Sequence, residues 1–300
     1  MTAVTVLGVV LGSALAGCAS TSGGSPGDRP AAALTAPSDV SSRDVSSRAP
    51  SKSAQPKAPS TAPPATAKPP NLAPGPEGLA RVLERGPKSA DKVVALTFDA
   101  DMTADEGPRA AGGEHFDNPD LIALLRRLKV PATVFMTGRW AEEYPSQARS
   151  IGTDPLFEIA NHSYSHYAFT SPCYGLPTMG SDEIGGEVER AFGAIRKTGA
   201  RNVVPYFRFP GGCYDDASLR ALAAEKVTAV QWDVVSGDAF ATDADAVAEQ
   251  VLDGVKPGSL VVMHCTRSAA PVTGQAVGQV VPELRKRGYR FVRVSELMGG

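Results

Sequence analysis

All nineteen aromatic residues of this 300-residue chain lie after position 97. Aromatic side chains bury more apolar area than any others, so a stretch without them has little from which to build a core. The chain therefore has two regimes, and only the second can close a large hydrophobic interior. No stretch after the first twenty residues is apolar for long enough to cross a bilayer, which excludes a multi-span transporter or channel. The net charge of −2 argues against a general nucleic-acid binder, so no nucleic-acid partner is expected.

Residues 1–18, MTAVTVLGVVLGSALAGC, form an uncharged apolar run that ends in small residues and a cysteine, the pattern of a secretory signal. Its last four residues, Leu15-Ala16-Gly17-Cys18, resemble the lipobox of bacterial lipoproteins. That resemblance implies cleavage before Cys18 and a membrane anchor on its thiol; a plain signal peptide or short anchor helix is the alternative. Each reading places the body outside the cytoplasm. Residues 19–76 hold 12 of the 25 prolines, are rich in Ser, Ala and Thr, and carry six basic against three acidic side chains. Such a composition cannot offset chain entropy by burial, so a disordered tether is expected. Removing its charge of +3 from the total of −2 leaves −5 on residues 77–300.

Those remaining 224 residues suffice for one well-filled domain. Short β-branched runs alternate with helical periodicity along them. Strands are predicted at 93–98, 132–136, 157–160, 206–209, 228–232, 260–264 and 289–292. Helices are predicted between them, one opened by Asn118-Pro119 as N-cap and first-turn proline and continued by Leu121, Leu124, Leu125 and Leu128. Ile184, Val188, Phe192 and Ile195 mark another, and three more are expected near 217–225, 244–252 and 276–287. About seven strand–helix repeats call for a parallel α/β sheet, open or rolled into a barrel. In either, chemistry gathers at the carboxyl ends of the strands.

Polar residues stand at four of those ends, within TFDAD (97–101), NHSYSH (161–166), RFPGG (208–212) and VVMH (261–264). Of the four histidines, His162, His166 and His264 fall at strand ends and His115 does not. Two histidines four apart can face one way on a helical turn and offer two nitrogens to a divalent metal, with a carboxylate as third ligand. A metal with an open position is a Lewis acid, a second carboxylate can serve as base, and a separate histidine can protonate a leaving amine. Together these groups describe metal-assisted hydrolysis.

The segments TFDAD, HSYSH, RFPGG, WDVVSGDA and LVVMH occur in the order and approximate spacing of the polysaccharide deacetylase family, also called carbohydrate esterase family 4, which the chain resembles over about residues 92–298. The resemblance implies a distorted seven-stranded (β/α) barrel, one catalytic domain that removes acetyl groups from amino sugars in chitin or peptidoglycan, or from xylan. It implies a divalent metal, zinc with cobalt or nickel as alternatives, and a cell-wall polysaccharide as partner; a monomer is expected. Carried over by position, Asp99 matches the base, Arg208 the arginine that holds it, His162 and His166 the metal ligands, His264 the acid and Asp238 the carboxylate that tunes it. The backbone after Pro210, beginning with Gly211, would face the developing oxyanion. Apart from the resemblance, Tyr214 either lines the groove or serves as packing.

Two positions depart from the pattern. Where a second aspartate normally supplies the third metal ligand the chain has Ala100, leaving Asp101, one residue on, to swing in or to form an Asx-turn. Where a tryptophan usually follows the fourth-motif aspartate it has Ala239. Beyond Cys18, the cysteines are Cys173, Cys213 and Cys265, which allow one disulfide of unspecified pairing. A cysteine–histidine hydrolase built on Cys265 and His264 is disfavoured, since neighbours in a strand face opposite ways. A glycan-binding pseudoenzyme that lost its metal through Ala100 is the rival to the deacetylase.

Overall fold

The computed structural model describes residues 75–87 and 91–299. The apolar leader, Cys18 and residues 19–74 of the expected tether lie outside them.

The elements run β1 (Val82–Leu83), β2 (Val93–Ala100), α1 (Gly107–Ala111), α2 (Pro119–Leu128), β3 (Ala132–Met136), α3 (Gly138–Glu143), α4 (Pro145–Gly152) and β4 (Phe157–Asn161). There follow α5 (Ile184–Lys197), β5 (Val203–Phe207), α6 (Asp216–Ala224), β6 (Thr228–Val230), β7 (Val234–Val235) and α7 (Ala244–Gly254). The chain ends with β8 (Ser259–His264), α8 (Thr273–Lys286), β9 (Arg290–Phe291) and α9 (Val294–Leu297). Among the described residues one nine-stranded sheet takes the order β1-β6-β5-β4-β3-β2-β8-β7, with β9 beside the start of β2. Every ladder is parallel, and the sheet curls into a partly closed barrel of α/β class. Between β6 and β8 the chain after β1 spans the gap, where Arg85 bridges Ser259 and the Gly86 N–H donates to Gly258 O at 2.8 Å.

Alternation along β2 sorts its side chains into two layers. Leu96, Phe98 and Ala100 pack outward with Leu121 and Leu125 of α2 and Val277 and Val281 of α8. Ala95 instead joins Phe135, Ala160, Val204, Tyr206, Val230 and Leu260 inside the curl. Each such fully buried Leu, Phe or Val contributes about 1.5–3 kcal/mol of transfer free energy. Val294 and Leu297 of α9 complete the inner cluster. The Val294 N–H donates to Thr133 Oγ1 at 2.9 Å and the Ser295 N–H to Glu158 Oε1 at 3.0 Å, which seats α9 against the starts of β3 and β4. One end of the curl is thus plugged, and polar groups gather at the other.

Local chemistry explains most elements. The Asn118 side chain accepts from the Leu121 N–H and Pro119 opens α2, as the sequence predicts. Ile184, Val188, Ala191 and Ile195 form the buried face of α5. Two expectations need correction. The strand placed at 206–209 is β5 at Val203–Phe207, and the pairing of Ile159 with Val203 but Asn161 with Phe207 shows a bulge that accommodates Pro205, which has no N–H to give a ladder. The region placed at 228–232 ends at Val230, and the chain then enters β7, which with β1 was not anticipated because two residues carry no period.

Candidate active site

Six side chains converge at the carboxyl ends of the strands. Asp99 and His264 are register partners on β2 and β8, Asp101 and His162 follow β2 and β4 directly, and Arg208 and Asp238 follow β5 and β7. Arg208 is completely buried. Its Nη1 donates to Asp99 Oδ1 at 2.6 Å, its Nε to Val230 O at 3.1 Å and its Nη2 to Gln231 O at 3.3 Å. The guanidinium also lies 3.9 Å from the centre of the Phe135 ring, so a carboxylate, two carbonyls and an aromatic face all meet its charge. Burial raises the pKa of Asp99, but Arg208, His162 and His264 outweigh it and hold the carboxyl below its ordinary value. Asp99 is therefore ionised and fixed in direction.

Beside this pair, His162 Nδ1 meets Arg208 O at 2.9 Å. A carbonyl only accepts, so Nδ1 carries the proton and the Nε2 lone pair faces the centre. That Nε2 lies 3.5 Å from Asp101 Oδ1 and 3.7 Å from Asp99 Oδ2, while His166 Nε2 lies 4.0 Å from Asp101 Oδ1. Ligand atoms of Asp101, His162 and His166 all fall within 4.8 Å of one another. Burial pulls both histidines below their ordinary value, His166 to about 4, which keeps the imidazoles neutral. Asp101 Oδ1 is buried without a hydrogen-bond partner, a costly state for a carboxylate oxygen. Burial also raises the Asp101 pKa, with His264 and His162 opposing and Asp99 and Asp238 reinforcing the rise. Two neutral imidazoles and an orphaned carboxylate oxygen fit a divalent cation, which would satisfy that oxygen and neutralise its charge.

The histidines do not share a helical turn as expected. They sit on a bent loop in which Ser163 and His166 take φ of 65° and 58°, and their ring centroids are 5.0 Å apart. The bend is held from α5 by Glu187, whose Oε2 accepts the Tyr164 N–H at 3.1 Å, the Ser165 N–H at 2.8 Å and the Ser165 hydroxyl at 2.8 Å. Sequence reasoning missed Glu187, although a carboxylate on the buried face between Ile184, Val188 and Ala191 was the available signal.

Across the mouth, His264 Nδ1 is 2.8 Å from Asp238 Oδ1, and the His264 N–H donates to Asp238 Oδ2 at 2.7 Å. Ser236 Oγ donates to Oδ1 at 2.8 Å and Thr273 Oγ1 to Oδ2 at 2.6 Å, so Asp238 is buried yet satisfied. Burial alone would lower the His264 pKa. The hydrogen bond to Asp238 and the charges of Asp101, Asp238 and Asp99 outweigh it and push the imidazole up to about 10. Its Nε2 points inward, 3.9 Å from Asp101 Oδ2.

Residues 86–230 match the family model for polysaccharide deacetylase. Over these residues the chain is similar to the polysaccharide deacetylases. A chitooligosaccharide deacetylase from Sinorhizobium fredii is 28% identical over 198 residues, 63% of this chain and 86% of that protein. A peptidoglycan-N-acetylglucosamine deacetylase from Bacillus cereus is 29% identical over 213 residues, 69% of this chain and 89% of that protein. A solved CE4 family pseudoenzyme from Bacillus anthracis is 26% identical, with a TM-score of 0.58 over 75% of this chain and 69% of that one.

In this domain Ala100 faces the helical layer, fully buried among apolar side chains. Position 100 is not turned to the cluster of His162 and His166, and Asp101 is. The Asp101 N–H donates to Thr266 Oγ1 at 3.1 Å, so the side chain is turned inward from a fixed backbone. Pro210, Gly211 and Gly212 make a tight turn after Arg208, with Gly211 and Gly212 at φ of 63° and 72°. A Cβ on Gly211 would stand 2.6 Å from Cys173 Sγ, and one on Gly212 2.5 Å from the Trp232 ring. Tyr214 is half-buried and stacks on Phe209, 5.2 Å between ring centres. Of the three cysteines, Cys173 and Cys213 form the disulfide. Cys265 is buried in the outer layer, and burial pushes its thiol up to about 12, leaving it no nucleophile. His115 meets Asp117 at 3.2 Å, outside the histidine–aspartate cluster.

Proposed function

We propose that the protein is a metal-dependent deacetylase of N-acetylated amino sugars in cell-wall glycan, peptidoglycan or a chitin-like polymer. Residues 77–300 are its single catalytic domain, carried outside the cytoplasm on the 19–76 tether and anchored by a lipid on Cys18. The leader ending in Leu-Ala-Gly-Cys supports the anchor, and the similarity to chitooligosaccharide and peptidoglycan deacetylases supports the substrate class.

The observation that carries the reading is the orphaned Asp101 Oδ1 set between two neutral histidines. Asp101, His162 and His166 would hold the ion, zinc by its preference for nitrogen and oxygen donors, with cobalt or nickel as substitutes. A divalent ion there supplies Lewis acidity. Asp99, held ionised by Arg208, takes a proton from the attacking water, whose oxygen bonds to the acetyl carbon. Pro210 turns the chain so that the Gly211 N–H faces the oxyanion that develops. His264, kept protonated by Asp238, gives its proton to the amide nitrogen as the carbon–nitrogen bond breaks. Acetate and a free amine result, and Tyr214 borders the groove.

A pseudoenzyme of the same fold is the second reading, favoured by the likeness to the Bacillus anthracis structure. Its premise is the loss of a ligand at Ala100, and the position of Asp101 beside His162 and His166 supports the deacetylase instead. The deciding experiment is acetate release by the full chain from N-acetylglucosamine oligomers and purified peptidoglycan. Release is expected, stopped by chelator and restored by zinc, cobalt or nickel. A folded protein that binds glycan and releases no acetate under any of these metals contradicts the deacetylase reading.

A further inference from the structure

Among the described residues the large apolar side chains left in solvent include Tyr174, 89% exposed, and Phe240, 83% exposed. A single exposed ring needs no explanation. These two share an unusual backbone as well: φ is 47° at Tyr174 and 58° at Phe240, a left-handed conformation that bulky residues rarely adopt and that glycine or asparagine would take at less cost. Strain of this kind persists where surrounding structure enforces it, and it clusters at ligand sites.

Both rings stand on the segments that build the mouth. Phe240 is two residues beyond Asp238, and its N–H donates to Ala269 O at 2.6 Å, which ties it to the chain that follows His264. Tyr174 follows Cys173, whose disulfide to Cys213 fastens it to the Pro210–Gly212 turn. Its Cδ2 lies 3.4 Å from the point where a Cβ on Gly211 would stand, so the ring borders that glycine. In the sheet order Tyr174 belongs to the β4–β5 side of Asp101 and Phe240 to the β8–β7 side.

We propose that Tyr174 and Phe240 are stacking platforms for sugar rings on either side of the residue being deacetylated, so that the site selects extended glycan over short fragments. The inference rests on the deacetylase reading. A pyranose presents an apolar C–H face between its hydroxyls, and an exposed ring held rigidly from its backbone is the surface that face covers with least loss of side-chain freedom. One platform at each flank requires a chain of sugars that passes over the metal-ligand cluster.

The test compares wild type with Tyr174→Gly, Phe240→Gly and the double variant on a pentamer and a dimer of N-acetylglucosamine. Glycine removes the ring and relieves the positive φ, so a fold defect is not the expected consequence, and melting temperature is recorded alongside. Each single change is expected to raise KM for the pentamer about 2- to 10-fold with kcat unchanged, and to raise it less for the dimer, which reaches only one flank. Tyr174→Phe and Phe240→Tyr should keep the wild-type KM. An unchanged pentamer KM, or an equal rise for the dimer, overturns the platforms and leaves the deacetylase reading standing. If wild type releases no acetate, the deacetylase reading fails, and calorimetric binding of the pentamer to the same proteins decides the platforms: weaker binding without the rings upholds them, and equal binding overturns them.

Discussion

His166 and His264 approach the same carboxylate from opposite sides of the mouth, at 4.0 Å and 3.9 Å from Asp101, yet burial pushes the first down to about 4 while the second rises to about 10. Distance to Asp101 therefore does not set their charge. The second contact does: His264 has Asp238 on its Nδ1, and Asp238 is itself fixed by Ser236 and Thr273. One half of the site keeps its imidazoles neutral, the state the proposed metal ligands require, and the other keeps its imidazole charged, the state the proposed proton donor requires. The difference is built by residues that need not touch substrate.

The comparison can be broken most severely from the ligand half. His162→Ala should abolish metal binding and lower kcat by about 10³-fold or more, measured by metal content and acetate release. From the donor half, Asp238→Asn should lower kcat by about 10²- to 10⁴-fold while metal content stays at wild type. The sign in pH follows from the raised pKa: the donor form of His264 persists at low pH and is lost as pH rises through about 10, so without Asp238 the alkaline limb of the rate profile should move to lower pH.

Smaller changes sharpen the contrast. Glu187→Ala frees the loop that aims both ligand histidines, and metal affinity in a zinc titration should fall by about 10- to 100-fold with the His264 limb unmoved. Ala100→Asp should leave metal affinity unchanged, because position 100 faces the helices. It should instead destabilise the domain by about 3 kcal/mol or more in denaturant melts, the cost of an uncompensated buried carboxylate.

The last case shows what was legible. Strands β2, β3 and β8 stand out in the sequence because buried parallel strands are apolar throughout, and the polar residues at their ends mark the mouth. Alternation already places Asp99 and Asp101 on one face of the β2 track and Ala100 on the other. The motif comparison, which counts positions rather than faces, assigned the missing ligand to Ala100. Pro205 obscured the start of β5, since a proline in a parallel strand needs a bulge that sequence does not display. The Cys173–Cys213 pairing and the clamp of Glu187 on Tyr164 and Ser165 depend on which loops meet, a property of the folded sheet rather than of spacing along the chain.

The central claim, that a metal half and a proton half share one mouth, is tested most directly by zinc titration of wild type, His162→Ala and His264→Ala under one set of conditions. The account predicts one equivalent bound by wild type and by His264→Ala, and none by His162→Ala. Equal zinc binding by all three, or loss in His264→Ala as complete as in His162→Ala, would contradict it.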